Sequence, residues 1–264
     1  MGMAEEAVIW KEMMDCRLSI RRYWIPSNKL KRRIRAVFLS DLHGSCYGEA
    51  QKELLGLVND AKPDVVFFGG DMADEIISQE NTDVLMKALG GLYPCYYVSG
   101  NHEFRKHRVR EVKAKFRSYG IHVLEGSYDR LVINGSRICI CGVDDAVAGK
   151  KLFEEQLRRL KAVCGFQDFT ILLAHRPELI GRYLEAPYDL VLSGHAHGGQ
   201  WRIPGKVNGL FAPHQGLFPK YAGGMYRFGK TRMVVGRGLT CERPGIPRIF
   251  NPPEVVVLDL GHPG

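Results

Sequence analysis

Three short apolar runs, each breaking into a polar turn at the same interval, leave this chain few ways to fold. Ala36-Val37-Phe38-Leu39 ends in Ser40-Asp41-Leu42-His43-Gly44, and Val65-Val66-Phe67-Phe68 ends in Gly69-Gly70-Asp71-Met72-Ala73-Asp74. Tyr96-Tyr97-Val98 ends in Ser99-Gly100-Asn101-His102-Glu103, so Asp41, Asp71 and Asn101 recur every 30 residues. Between them, residues 49–61 place Leu54, Leu57, Val58 and Ala61 on one helical stripe, and residues 81–90 do the same with Val84, Leu85, Ala88 and Leu89. Continuous apolar runs suit strands covered on both faces. Alternating with amphipathic helices, they predict βαβ units and a parallel sheet, whose ligands gather beyond the carboxyl ends of the strands.

Further along, residues 106–119 predict a helix with Val109, Val112 and Phe116 inward. Residues 121–143 read as short strands with a hairpin at Asn134-Gly135, a shift toward a more antiparallel second sheet. A helix follows over 151–164 with Leu152, Phe153, Leu157 and Leu160, then a strand over 170–174 ending in His175. Pro177 opens a short helix, and the strand over 188–193 ends in Gly194-His195-Ala196-His197-Gly198-Gly199-Gln200. Residues 198–224 are Gly- and Pro-rich, and Met233-Val234-Val235 and Glu254–Leu258 close the fold as strands. Residues 1–15 suit an amphipathic helix and 16–25 a strand. With no linker or repeat, the expectation is one α/β domain over residues 1–264: an N-terminal extension and first strand to 35, a core over 36–200, and closing strands with a substrate-side loop over 201–264.

Composition narrows the class. A 45% hydrophobic and 25% charged chain is ordinary for a soluble protein. No apolar run approaches the roughly 18 residues a bilayer span needs. Glu5 and Glu6 stand where a secretory signal would be basic, so the expected location is cytoplasmic. Seven cysteines, scattered and odd in number, fit neither a disulfide framework nor a zinc knuckle and are expected to be reduced, Cys139 and Cys141 sharing a strand face as small hydrophobes. The +8 charge attracts anions: phosphates, nucleic acid or an acidic membrane surface. The cluster Lys29, Lys31, Arg32, Arg33 and Arg35 reads equally as a solvated loop or as a peripheral contact with the inner face of a membrane.

The strand ends carry the chemistry. Asp41 and His43, Asp71, Asn101 and His102, His175, and His195 and His197 all fall at one edge of such a sheet. Singly, each has an ordinary explanation as a cap or turn residue. Together, carboxylate and carboxamide oxygens with imidazoles suit Mn, Fe, Zn, Co or Ni. They are too many for one tetrahedral ion and about right for two ions sharing a carboxylate.

The series Asp41-x-His43, Gly70-Asp71-x-x-Asp74, Gly100-Asn101-His102-Glu103, His175 and Gly194-His195-x-His197 resembles the calcineurin-like metallophosphoesterase superfamily, all five blocks in order over residues 37–200. The resemblance implies a β-sandwich of two mixed sheets flanked by helices, its active site at the C-terminal ends of the strands. It implies two divalent transition metal ions, manganese first among the candidates. Asp41, His43 and His197 would hold one, Asn101, His175 and His195 the other, with Asp71 bridging. His102 would be the catalytic non-ligand histidine, protonating the leaving alkoxide or stabilising phosphoryl oxygens. Asp74, three residues past Asp71, is the natural partner to orient His102, or else a cap. Glu103 reads as a surface or capping residue, and His214 as touching substrate or a backbone carbonyl. His-Ala-His-Gly-Gly-Gln and Phe250-Asn251-Pro252-Pro253-Glu254 resemble a compact bacterial phosphodiesterase branch, often membrane-anchored, some of whose members cleave the pyrophosphate of a lipid-linked UDP-sugar.

For substrate, Trp201, Ile203, Leu210, Phe211, Leu217, Phe218, Tyr221 and Tyr226 are apolar for a Gly/Pro-rich segment, and Lys206, Lys220, Arg227 and Arg237 nearby are candidates to hold further phosphates. About half of the apolar set should fill a gap between sheets, and the rest would wall a lipid or nucleoside. The expectation is a phosphodiesterase or pyrophosphohydrolase in which metal-bridged water attacks phosphorus, acting on a phosphorylated small molecule or lipid-linked substrate. The alternatives are a metal-dependent nuclease, and a non-catalytic scaffold that should have lost ligands.

Overall fold

The apolar runs do become strands without an exposed face, as the burial of every residue in Val65–Phe68 and Leu190–Ser193 shows. The structure, a computed structural model, describes residues 16–165, 167–241 and 247–262. The helix expected over residues 1–15 lies outside the described residues. In chain order the strands are β1 Ser19–Pro26, β2 Ile34–Leu39, β3 Val65–Phe68, β4 Cys95–Tyr97, β5 His122–Val123, β6 Ser127–Ile133, β7 Ser136–Gly142, β8 Phe169–Leu173, β9 Leu190–Ser193, β10 Phe211–Ala212, β11 Gly216–Leu217, β12 Gly224–Phe228, β13 Thr231–Val235 and β14 Glu254–Gly261.

One sheet runs β1-β14-β2-β3-β4-β5, with β2 to β5 parallel and β14 antiparallel to β2. The other runs β12-β13-β9-β8-β7-β6, parallel from β13 to β7 with antiparallel edges. Because side chains alternate along a strand, Phe38, Phe67 and Tyr96 meet Ile140, Ile171 and Val234 between the sheets, while Val37, Leu39 and Val66 face outward. Helices α1 (Lys52–Ala61), α2 (Glu80–Gly90), α3 (Asn101–Phe104), α4 (Val109–Ser118), α5 (Lys150–Lys161) and α6 (Ile180–Tyr183) follow. Leu54, Val58, Leu85, Leu89, Val112 and Phe116 cover the first sheet; Phe153, Leu157, Leu160, Ile180 and Tyr183 cover the second. Two mixed sheets flanked by helices are what the sequence led one to expect.

Details differ. Val84 and Leu152 turn outward, and α2 buries Met86 with Leu85 and Leu89. The helix expected from residue 49 starts only at Lys52, because Ala50 and Gln51 adopt left-handed φ of 51° and 63°. That kink lets the buried Gln51 carboxamide accept from Tyr47 N at 3.0 Å and donate to Ser45 O at 2.8 Å. The Asn134-Gly135 hairpin forms as expected, both residues at positive φ (50° and 76°) between Ile133 and Ser136.

The cysteines need a correction. Cys16 and Cys241 form a disulfide, their Cα atoms 5.6 Å apart, whereas all seven were expected to be reduced. Pairing of β1 with β14 brings Ser19 opposite Glu254, whose N–H donates to Gly238 O, so two cysteines 225 positions apart become neighbours. Crosslinks of this kind form and persist in oxidising compartments. Among the described residues, no helix is long and apolar enough to cross a membrane. Closing so long a loop is worth up to about 5 kcal/mol in the chain-entropy account. Denatured protein without reductant should therefore titrate five thiols (Cys46, Cys95, Cys139, Cys141, Cys164) and seven after reduction. Cys241→Ser should lower unfolding free energy by about 2–5 kcal/mol in a urea titration. Seven thiols before reduction would remove the crosslink.

The basic cluster is largely spent on the fold. Lys29 pairs with Asp189 at 2.7 Å, and Arg33 and Arg35 both pair with Asp259 at 2.6 and 2.9 Å. It also lies before and at the start of β2, the end opposite Asp41.

Candidate metal centre

The turns that follow β2, β3 and β9 are built from residues in left-handed backbone: Asp41, His43, Asp71, His195 and His197 have φ of 53°, 48°, 52°, 65° and 46°. Non-glycine residues there carry roughly 1–3 kcal/mol of strain each. Bonds between the turns hold them. Asp41 N–H donates to Gly70 O and His43 N–H to Asp71 O, while His195 N–H and His102 N–H donate to the carboxylates of Asp41 and Asp71 at 2.9 and 2.8 Å. Gly70 (φ 91°) permits the packing, since a Cβ there would sit 2.6 Å from Gly100 N and 2.7 Å from His175 Nδ1.

Strand ends thus converge on one spot. Asp41, His43, Asp71 and His197 present donor atoms within 4.8 Å of one another; Asp71, His175 and His195 make a second such set, and Asp71 belongs to both. Its Oδ2 lies 3.7 Å from His43 Nε2 and 3.1 Å from His175 Nε2. His197 Nε2 is 3.6 Å from Asp41 Oδ1, and His195 Nδ1 is 3.1 Å from His175 Nε2. Asn101, first residue of α3, has a buried Oδ1 with no hydrogen-bond partner, and so do Asp41 Oδ2 and His43 Nε2. Buried lone pairs left unpaired cost free energy unless a cation takes them, so this donor set fits divalent metal ions.

The far sides of three of the four imidazoles are also assigned. His43 Nδ1 is 2.8 Å from Asp74 Oδ2 and His175 Nδ1 is 2.7 Å from Gly69 O, so both Nδ1–H groups donate outward and leave Nε2 for the centre. His195 Nε2 lies 2.9 Å from His214 Nδ1, the rings stacked at 5.0 Å. His214 is therefore an orienting neighbour of His195 rather than a partner of a backbone carbonyl.

Two carboxylates sit otherwise than expected. Asp74 is 3.5 Å from His102 Nδ1, whereas Glu75 Oε2 is at 2.6 Å. The reason is local: Asp74 Oδ1 accepts from Ile76 N at 2.8 Å, closing the turn, which aims Oδ2 at His43. Glu75 in turn is held by Arg105 at 2.5 Å. Glu103 is buried, not on the surface; it caps α3, the other expectation, by accepting from Gly100 N–H at 2.8 Å, and also accepts from the N–H groups of Asp71, Met72 and Ala73 at 2.8–3.2 Å, pinning two turns together. Glu75 was assigned no role by the sequence, and of Glu103 only the cap was, not its hold on the Asp71–Ala73 turn.

Burial and the facing charges set the electrostatics. Burial and Asp71 push Asp41 above the carboxylate range, against the pull of His175. Asp71 itself is held well below that range: burial opposes it, but His175, His43 and His102 outweigh burial. Burial and His175 bring His195 down to about 2, and burial and His43 bring His197 well below its usual value. Neutral imidazole is the form that ligates metal.

A cleft of about 230 Å³ opens beside the centre between Asn101, Phe104, Val147, Arg176 and His214. Arg176 is fixed there by a fork on Asp145 at 2.7 and 2.8 Å. Of the apolar loop residues, Tyr221 is buried, while Trp201, Ile203, Phe211, Leu217 and Phe218 are exposed.

Comparison with known proteins agrees with this geometry. The calcineurin-like phosphoesterase family model matches residues 34–199. The uncharacterised metallophosphoesterase YkuE of Bacillus subtilis is 31% identical over 232 residues, covering 86% of this chain and 78% of that protein. An uncharacterised metallophosphoesterase of Aquifex aeolicus is 31% identical over 255 residues, covering 92% of both. A Bos taurus transmembrane protein with a metallophosphoesterase domain is 33% identical over 63% of this chain and 41% of its own length. Among solved structures, TT1561 of Thermus thermophilus shares the fold at a TM-score of 0.53 and 15% identity, over 78% of this chain and 90% of that one. Sheet order, converging donors and matched sequence together make this chain a member of the calcineurin-like phosphoesterase family.

Proposed function

We propose that the chain is a dinuclear metal-dependent phosphoesterase that hydrolyses a phosphodiester or pyrophosphate bond. The observation that carries this is Asp71, whose Oδ2 faces His43 on one side and His175 on the other. Asp41, His43, Asp71 and His197 would hold one ion, and Asp71, Asn101, His175 and His195 the other. Two such ions, manganese first among the candidates, supply Lewis acidity toward phosphoryl oxygens and an activated water. The chain's own residues do the rest. The turns fix the donors, Asp74, Gly69 and His214 set the rings, and His102, held by Glu75, delivers a proton to the leaving oxygen. The exposed apolar side chains after the His-Ala-His turn favour a substrate with a lipid or nucleoside portion.

Protein stripped of metal and resupplied with manganese should hydrolyse bis-p-nitrophenyl phosphate, and chelation should abolish turnover. Chelation should also lower stability by about 2.7 kcal/mol per site for ions present at 100 times their Kd, seen as a fall in Tm. No turnover with any divalent metal, despite two bound ions, would overturn the catalytic reading.

A further inference from the structure

A second concentration of positive charge lies beside the centre, used by none of the chemistry above. A cavity of about 550 Å³ is lined by Arg21 on β1, Arg202 and Lys206 in the loop after the His-Ala-His turn, Arg237 after β13, and the apolar Ile203 and Phe250. These cations come from three segments far apart in sequence, so their meeting is not the by-product of one basic run.

Their charge is under-compensated. Arg237 Nε lies 3.2 Å from Oε2 of the buried Glu254, and Arg21 and Lys206 make no ion pair among the described residues. Arg202 donates to Gly198 O at 3.0 Å and to the Asn208 side chain, neither of them charged. Arg202 and Arg237 crowd the same point, since a Cβ on Gly223 would sit 3.4 Å from Arg202 Nη1 and 3.1 Å from Arg237 Cγ. Burial and that neighbouring charge bring Arg202 down to about 10. Guanidinium forks match phosphate oxygens, and an anion between the two would relieve their repulsion.

The cavity is also tied to the centre. Gly198, which receives the Arg202 hydrogen bond, follows His197. Gly238, next after Arg237, packs so tightly on Asp41 that a Cβ there would meet the Asp41 Cβ at 2.7 Å. We propose that this cavity is a second phosphate-binding site, taking a phosphate or diphosphate group other than the one hydrolysed. That group belongs either to the substrate or to free inorganic phosphate, and the substrate arm rests on the phosphoesterase reading above.

The test titrates metal-loaded protein with inorganic phosphate by calorimetry. Wild type should bind two phosphates, one at the metals and one in the cavity. The exposed double variant Arg21→Glu/Lys206→Glu should bind the second at least about tenfold more weakly, two nearby cations having become anions. One phosphate in wild type, or two with unchanged affinities in the variant, would overturn the proposal. The two sources are separated by the ratio of kcat/KM for thymidine 3′-(p-nitrophenyl phosphate) with and without a 5′-phosphate. A fall of this ratio in the variant assigns the site to substrate, and an unchanged ratio with the second phosphate lost assigns it to free phosphate. Failure of the phosphoesterase reading would show as absent turnover in wild type, leaving the phosphate titration still legible.

Discussion

Asp71→Asn is expected to reduce kcat/KM for bis-p-nitrophenyl phosphate by at least about 10³-fold, some 4 kcal/mol of transition-state stabilisation. Asparagine has the same size and tolerates the left-handed φ of 52° that Asp71 occupies. Its amide oxygen can still accept from His102 N–H, so the α3 turn should keep its shape. What it lacks is the charge and the second acceptor oxygen. The atom facing His43 and His175 becomes either an NH₂ donor or a neutral carbonyl, and neither can serve two cations at once. Metal content by elemental analysis should therefore fall below two ions per chain, while far-UV circular dichroism stays that of wild type. Wild-type turnover with two ions bound would remove Asp71 from the centre and with it the proposed division of ligands.

Much of that centre could be read before any coordinates, for a physical reason. Buried parallel strands must be continuous apolar runs, so Asp41, Asp71, Asn101, His175 and His195 stood out as polar residues where those runs stop. Strand order, by contrast, has no local signature. Nothing near Cys16 or Cys241 announces that β1 lies beside β14 and brings them together. The orienting carboxylates were misplaced for a related reason. Residues 71–79 form no regular element, so no periodicity says which way each side chain points: Asp74 comes closest to His43 and lies 3.5 Å from His102, while Glu75 takes His102 at 2.6 Å. Glu103 was legible as a capping residue, since its bond from Gly100 N–H is local, but the three N–H groups it also accepts from the Asp71–Ala73 turn are a long-range arrangement invisible in sequence. Val84 failed differently: the helix was right, but its buried face is Thr82, Leu85, Met86 and Leu89, rotated by nearly one residue step from the expected stripe of Val84, Leu85, Ala88 and Leu89.

The exchange of Asp74 for Glu75 beside His102 has its own kinetic signature. His102→Ala should lower kcat by about 10²–10⁴-fold with little change in KM, because proton delivery acts in the transition state. The loss should be greater for an alkyl leaving group than for p-nitrophenolate, which departs without protonation. Glu75→Gln keeps the size of the side chain and removes its charge, so it should cost roughly tenfold in kcat by loosening the ring it holds at 2.6 Å. Although burial opposes it, Arg105 and His102 keep the Glu75 carboxyl below its usual range, so it is anionic at neutral pH. An anion there favours the protonated imidazole, so losing it should move the alkaline limb of kcat/KM to lower pH; a purely structural role would leave that limb in place. Asp74→Asn should behave otherwise, lowering metal affinity through His43. The double variant His102→Ala/Glu75→Gln should be no slower than His102→Ala alone, since Glu75 acts on the reaction only through that ring. Additive losses would mean that Glu75 reaches the substrate by another route, and the carboxylate beside His102 would have to be assigned again.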